Sequence, residues 1–394
     1  MSSSNEVFIV SAKRTPIGAF LGALSPLTAV QLGSAAMKAA VESSGVKPAE
    51  LDEVIMGCVL PAGLGQAPAR QAALGAGVPS SVPCTTINKM CGSALKAVML
   101  GADQIRAGSA QLVLAGGLES MSNAPYLLPK ARSGYRMGHG EVLDHMFYDG
   151  LQSPFDGKLM GCFGDATAAK YNFTRAAQDA FATESVRRAL RALGAGDFDA
   201  EITPVTVKSR KGETIVARDE TPGTCDVSKI TTLKPAFAKD GTVTAASSSS
   251  ISDGAAALVL ASGEAAKTHA LKPLARLLAY ATFAHEPEWF TTAPGGAIKR
   301  VLAQLGWSAQ DVDLYEVNEA FAAVAMAAMH DVGIDHGRIN VNGGACALGH
   351  PIGATGARIL TTLLYALRKR GGKRGIAAVC LGGGEAVAVA VELV

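Results

Sequence analysis

Apolar positions along this chain fall into two kinds of block. Short runs of β-branched and small apolar residues, such as Val7-Phe8-Ile9-Val10 and Gln111–Ala115, read as fully buried strands. Longer stretches place apolar residues at i, i+3 and i+4 and read as helices. Thr28 is a candidate N-cap for a helix to about Ser43. Asp52–Leu60 follows as a strand ending at Pro61, and Gln66–Leu74 as a short helix. Thr85, Thr86 and Ile87 then lead through Asn88 to a helix ending at Arg106, with Leu95, Val98 and Met99 on one face. The strand Gln111–Ala115 is closed by Gly116-Gly117. Alternation at this spacing argues for a parallel or mixed sheet covered by helices.

The texture changes after Ser120. Residues 122–245 are interrupted by Pro125, Pro129, Pro154, Pro204, Pro222 and Pro235, and only Asp165–Tyr171 and Arg175–Leu193 pattern as sustained helices. An insertion this long with its own helices reads as a lid or substrate-covering subdomain. The strand Ala256–Leu260 resumes the first sheet. A second series then runs from Lys272: strand Ala275–Tyr280, helix Ile298–Leu305, strand Asp313–Val317, helix Ala320–His330, strand Ile339–Asn342, and helix Ala357–Arg368. It closes on the strands Ala377–Leu381 and Ala386–Glu392, hinged at Gly382-Gly383-Gly384. The order of elements repeats, which predicts two duplicated α/β halves. The expected division is 1–121 plus 246–271, an inserted loop domain 122–245, and 272–394.

Composition narrows the function classes. The formal net charge of +2 is too balanced to suggest nucleic acid as a partner. No apolar run approaches the length of a membrane span, so no membrane partner is expected, and the first residues lack the pattern of a targeting segment. The seven cysteines are odd in number, with no CxxC spacing and no zinc-type Cys/His cluster. They read as reduced thiols in a cytoplasmic compartment, with no metal site.

Four strings carry candidate chemistry. Cys91 sits at a strand-to-helix turn, where free backbone N–H groups and the helix dipole favour a thiolate, and Gly92 clears space beside the sulfur. On position alone, packing as a small hydrophobe is the favoured reading. Asn318, in Glu316-Val317-Asn318-Glu319-Ala320-Phe321-Ala322, lies at a strand's carboxyl end, where α/β sheets place ligands; alone it reads as an ordinary N-cap. His350 is framed by Gly349 and Pro351 in a turn entering a helix, a rigid setting that permits close approach. Cys380 ends a strand before three glycines, whose N–H groups can face an anion or merely bend a hairpin.

Together these strings resemble the thiolase family in order and local sequence along nearly the whole chain. Ser120-Met121-Ser122, Met160-Gly161, Lys234-Pro235-Ala236-Phe237 and Gly241–Ala245 add to the resemblance. It implies a five-layered αβαβα core of two α/β halves with a loop domain, assembled as a homodimer or homotetramer. It implies a CoA-dependent C-acyltransferase that acts on small-molecule acyl-CoA thioesters and needs no further cofactor. By resemblance Cys91 is the nucleophile and His350 its base. Cys380 is the second acid/base, and Asn318 holds a water in one oxyanion hole. The N–H groups of Cys91 and Gly382 form the other hole. Phe237 and Ser249 match family positions near the pantetheine and adenine of CoA, and Met160 and Phe321 match acyl-pocket positions.

Three departures stand out. Leu159 replaces the usual His before Met-Gly, Ala246-Ser247 replace Gly-Asn, and Glu385 follows the glycines where Gly or Gln is usual. An unpaired Glu385 carboxylate close to Cys380 would raise that thiol's pKa. Acetoacetyl-CoA is the expected substrate, with longer 3-ketoacyl-CoAs as the alternative. A ketoacyl synthase is disfavoured by the cysteine before the glycines. A non-catalytic acyl-CoA-binding protein is disfavoured because all four strings are present, and a Cys–His hydrolase because it has no use for Cys380.

Overall fold

A computed structural model describes residues 6–210 and 212–394. Nine strands organise it: β1 Val7–Arg14, β2 Glu53–Gly57, β3 Cys84–Ile87, β4 Leu112–Ser120, β5 Ser252–Ser262, β6 Ala275–Ala284, β7 Leu314–Val317, β8 Arg374–Leu381 and β9 Glu385–Leu393. They lie in one sheet in the order β7-β8-β9-β6-β1-β5-β4-β2-β3, with the two-residue strand Gly18–Ala19 added on β5. In the first half β1 and β5 pair antiparallel, as do β5 and β4, whereas β4–β2 and β2–β3 are parallel. The second half repeats the plan through β6–β9, β9–β8 and β8–β7. Where a fifth strand would sit, a single parallel bridge joins Ile339 to Tyr315. Val7–Ile9 of β1 pair with Ala275–Leu277 of β6 and join the halves.

Strand alternation assigns the layers, because successive residues point to opposite faces. Eight longer helices are used: α1 Ala29–Ser44, α2 Pro68–Gly75, α3 Ser93–Ala107, α4 Met160–Lys170, α5 Arg175–Gly194, α6 Ala293–Leu305, α7 Ala322–Val332 and α8 Thr355–Arg370. Val54 and Met56 face outward to Leu32 and Met37 of α1 and Ala72 of α2. Ile55 faces inward to Leu95 and Val98 of α3. In the second half Ile376 and Ala378 face Ile298 of α6 and Ala325 of α7. Ala377 and Val379 share the inner cluster with Ile359 and Leu363 of α8. The layers therefore run α1/α2, sheet, α3/α8, sheet, α6/α7, an αβαβα core. Its middle layer is close-packed: a Cβ on Gly356 of α8 would lie 2.4 Å from Leu95 N of α3.

The start of α1 is set by a capping box, in which Gln31 N–H donates to Thr28 Oγ1 and Thr28 N–H to Gln31 Oε1 at 3.2 and 2.9 Å. Two elements depart from the sequence expectation. Strand β4 continues through Gly116-Gly117 to Ser120. A Cβ on either glycine would lie 2.1 Å from a backbone oxygen, of Ala256 and Gly353 respectively, so these glycines serve close approach and do not turn the chain. Residues 339–342 form no continuous strand. Asn340 adopts φ +47°, and its side chain pairs with the backbone of Val317 in place of a strand neighbour, at 2.8 Å for both the N–H and the C=O.

Residues 122–245 carry α4, α5 and two small hairpin sheets, Tyr126–Leu127 with Leu143–Asp144 and Val205–Ser209 with Gly212–Val216. Wholly buried Arg14 of β1 anchors this segment, donating to Glu201 at 2.6 Å and to both Asp219 oxygens at 2.7 and 2.9 Å. Loss of Arg14 would leave buried carboxylates without their cation, a cost of about 3–5 kcal/mol. Among the described residues, no helix is long and apolar enough to cross a membrane.

Candidate active site

The turn between β3 and α3 presents Cys91. Met90 takes φ +47°, a strained value for a side-chain-bearing residue, and its N–H donates to Asn88 Oδ1 at 2.9 Å. Ser93 Oγ accepts from Lys89 N–H at 2.8 Å and donates to Met90 O at 2.6 Å, closing the turn. Gly92 seats it on β8, since a Cβ there would lie 2.1 Å from Leu381 Cδ2. The backbone N–H groups of Cys91 and Gly382 act on the Cys91 sulfur.

These two amides lower the thiol's pKa, but burial outweighs them and pushes it up to about 12. The sequence expectation of a thiol acidified by its helix terminus is thus corrected in direction: the packing around partly buried Cys91 raises its pKa more than the amides lower it. Buried His350 can supply a base. Its Nδ1 lies 2.6 Å from Thr355 Oγ1, whose own proton goes to Pro351 O at 2.9 Å. Thr355 must therefore accept from Nδ1–H, which leaves Nε2 with its lone pair. Burial, with a smaller contribution from Arg358, holds His350 down at about 3, so the ring is neutral at ordinary pH.

Asn318 follows β7 and is 1 % exposed; its Nδ2 lies 3.5 Å from His350 Nε2, while its Oδ1 has no protein partner. Cys380, near the end of β8, is buried among Phe163, Phe290 and Met160. Burial raises its pKa well above the ordinary thiol value, and the nearby Cys91 adds to the rise. Glu385 does not contribute to that rise. Its carboxylate is paired with Lys89 Nζ at 2.5 Å, so the condition under which it would perturb Cys380 is not met.

Four expected contact residues, Met160, Phe237, Ser249 and Phe321, line one cavity of about 180 Å³ together with His350. Phe237 and Phe321 meet edge to face at 6.0 Å. Gly161 makes room for this pair, since a Cβ there would lie 2.2 Å from the Phe237 ring. Phe147, Leu151, Ile251 and Ile352 also line the cavity and were not expected; they belong to irregular or loop segments with no periodic signal. Leu159, the departure noted in the sequence, is there too as an apolar wall. A second cavity of about 320 Å³ opens beyond Met160 and is lined by Gly382, Gly383, Phe163 and Phe290.

Sequence reasoning also missed Glu119. This fully buried carboxylate accepts N–H bonds from Val59, Leu60 and Gly353 at 3.0, 3.2 and 2.8 Å, tying the segment beside Cys91 to the His350 turn. Burial, partly offset by these donors, raises its pKa to about 7. Among the described residues, no cluster of three or more His, Cys, Asp or Glu is placed to hold a metal ion.

Comparison with known proteins agrees with this geometry. The family described as thiolase, N-terminal domain, matches residues 7–264, and thiolase, C-terminal domain, matches residues 271–393. The chain belongs to the thiolase family. Acetyl-CoA acetyltransferase 2 of Arabidopsis thaliana is 51 % identical over 98 % of this chain and 97 % of its own length. An acetyl-CoA acetyltransferase of Cupriavidus necator is 49 % identical over 98 % and 99 %. Among solved structures, the acetyl-CoA acetyltransferase of Bacillus anthracis superposes with a TM-score of 0.96 at 42 % identity, covering 99 % of each chain. A thiolase of Ascaris suum in complex with coenzyme A gives 0.94 at 43 % identity, covering 99 % of this chain and 100 % of its own. Thiolase domains matching both halves and full-length relatives of this identity make the protein an acyltransferase.

Proposed function

We propose that this thiolase catalyses the reversible condensation of two acetyl-CoA to acetoacetyl-CoA and CoA through an acetyl thioester on Cys91. The observation that carries the reading is the placement of two neighbouring thiols around the cavity that neutral His350 lines: Cys91 packs against its walls Met121 and Ile352, and buried Cys380 against its walls Met160, Phe237 and Phe321. His350 Nε2 takes the Cys91 proton as the sulfur attacks the acetyl carbonyl. The tetrahedral oxyanion is held by the N–H groups of Cys91 and Gly382, each such donor being worth roughly 3–4 kcal/mol. CoA thiolate departs and takes the proton of Cys380. The resulting thiolate is strongly basic because it is buried, and it removes the α-proton of a second acetyl-CoA. The enolate oxygen is met by protonated His350 and a water held on Asn318, whose free Oδ1 supports that role. Enolate carbon attacks acetyl-Cys91, and the expelled Cys91 thiolate recovers its proton from His350, so every proton is returned.

Met160 and Phe321 flank the acyl group, Phe237 and Ser249 lie along the CoA moiety, and residues 122–245 cover the substrate as a loop domain. Seven free thiols support a reducing, cytoplasmic setting. The edge position of β3 and the exposed Tyr126, Leu128 and Val142 support a homodimer or homotetramer. The test is peptide mass spectrometry after acid quench of enzyme mixed with acetoacetyl-CoA and no free CoA. An acetyl group on Cys91 that added CoA removes is expected. An unmodified Cys91 would overturn the short-chain assignment.

A further inference from the structure

The two amides that act on the Cys91 sulfur belong to different halves of the molecule, so their separation depends on how two turns are held together. We propose that the Lys89–Glu385 ion pair is a clasp that fixes this separation, making both residues positioning residues for the oxyanion site; this rests on the assignment of that site above.

Lys89 lies two positions before Cys91, and its backbone is fixed at both groups: its N–H donates to Ser93 Oγ, and its C=O accepts from Gly92 N–H at 3.1 Å. Glu385 opens β9, with its backbone paired to Leu381 on one side and Ala284 on the other. Between these fixed ends Gly384 is held, its C=O accepting from His285 N–H at 2.9 Å, but Gly382 and Gly383 are loosely supported. A Cβ on Gly382 would find nothing nearer than Met90 Cε at 3.8 Å, and one on Gly383 would find nothing within 4 Å. Gly383 and Gly384 take φ of +98° and +89°. Below the amides, Gly92 rests on Leu381 in an apolar contact that sets height but no lateral register. On the rim, the polar link between the two turns is Nζ to Oε2 at 2.5 Å, with side chains 27 % and 33 % exposed. Partial burial and fixed backbones reduce the entropy cost that makes most surface pairs weak. The pair therefore acts on geometry, by tying the two turns together at the rim.

The experiment follows acetylation of Cys91 by acetyl-CoA in rapid-quench mass spectrometry. It uses the full-length enzyme, Glu385→Gln, Lys89→Met, and the swapped double variant Lys89→Glu/Glu385→Lys, with thermal melts to confirm folding. Each single variant is expected to slow acetylation about threefold to tenfold at saturating acetyl-CoA, the range of coupling between contacting groups, with KM little changed. The swapped variant is expected to recover most of the rate, an outcome that loss of the lysine's charge effect alone would not give. Single variants that acetylate at the wild-type rate would overturn the clasp, as would a swapped variant no faster than the singles. Wild-type enzyme that fails to acetylate Cys91 at all would overturn the oxyanion-site assignment and the clasp with it.

Discussion

The two halves share a pairing plan and use it differently. Gly57 pairs with Gly117 in the first half, and Val317 with Ala378 in the second, so Cys58 corresponds to Asn318 and Glu119 to Cys380. In the first half these positions satisfy one another: Cys58 Sγ lies 3.8 Å from Glu119, whose oxygens also take three backbone N–H groups. In the second half Asn318 keeps a buried oxygen without a partner, and Cys380 stands among cavity residues. The connections differ too. Strands β4 and β5 are joined by the long segment that reaches over the cavity, β8 and β9 by three glycines that leave backbone amides bare. At these two corresponding positions the first half uses its polar groups to hold turns in place, and the second leaves an oxygen without a protein partner.

This contrast can be broken by substitution. His350→Ala removes the base on which a thiol as weakly acidic as Cys91 depends, and is expected to lower kcat/KM for thiolysis about 10²- to 10⁴-fold. Corresponding positions sharpen the point. Asn318→Ala should slow α-proton exchange of acetyl-CoA about 10²- to 10³-fold with little change in melting temperature. Cys58→Ala should lower the melting temperature by several degrees, through a buried cavity, and leave the exchange rate within about twofold. Equal kinetic losses in both would dissolve the distinction. A further prediction concerns pH. With Cys91 pushed up to about 12, its thiolate fraction rises with pH and never saturates at neutrality. Alkylation of the free enzyme by iodoacetamide should quicken about tenfold per unit from pH 6 to 9. A plateau below pH 8 would mean that Cys91 rests as a thiolate.

The repeating order of strands and helices was readable because each element carries its own period and stop signals; Thr28 and Gln31 mark the start of α1 as directly as any contact does. Cys91, Asn318, His350 and Cys380 could be singled out as candidates because each sits in a short string at an element end. What was hidden depends on contacts distant in sequence. Gly116-Gly117 read as a stop until Ala256 and Gly353 were found pressed against them. Glu119 is one carboxylate in an apolar strand, and nothing local announces the three amides it gathers. The acidity of Cys91 was misread for the same reason. The helix terminus is local and visible, whereas desolvation comes from β8 and the loop segments.

The most direct test of the division of labour uses Cys380→Ala and two exchange reactions of acetyl-CoA. Transfer of label from free CoA into acetyl-CoA reports acetylation of Cys91, and deuterium uptake from D₂O reports α-proton removal. The account predicts that label transfer survives within about tenfold while deuterium uptake and acetoacetyl-CoA formation fall by about 10² or more, the worth of a positioned acid/base. Deuterium uptake at the wild-type rate, or equal loss of both exchanges, would contradict it.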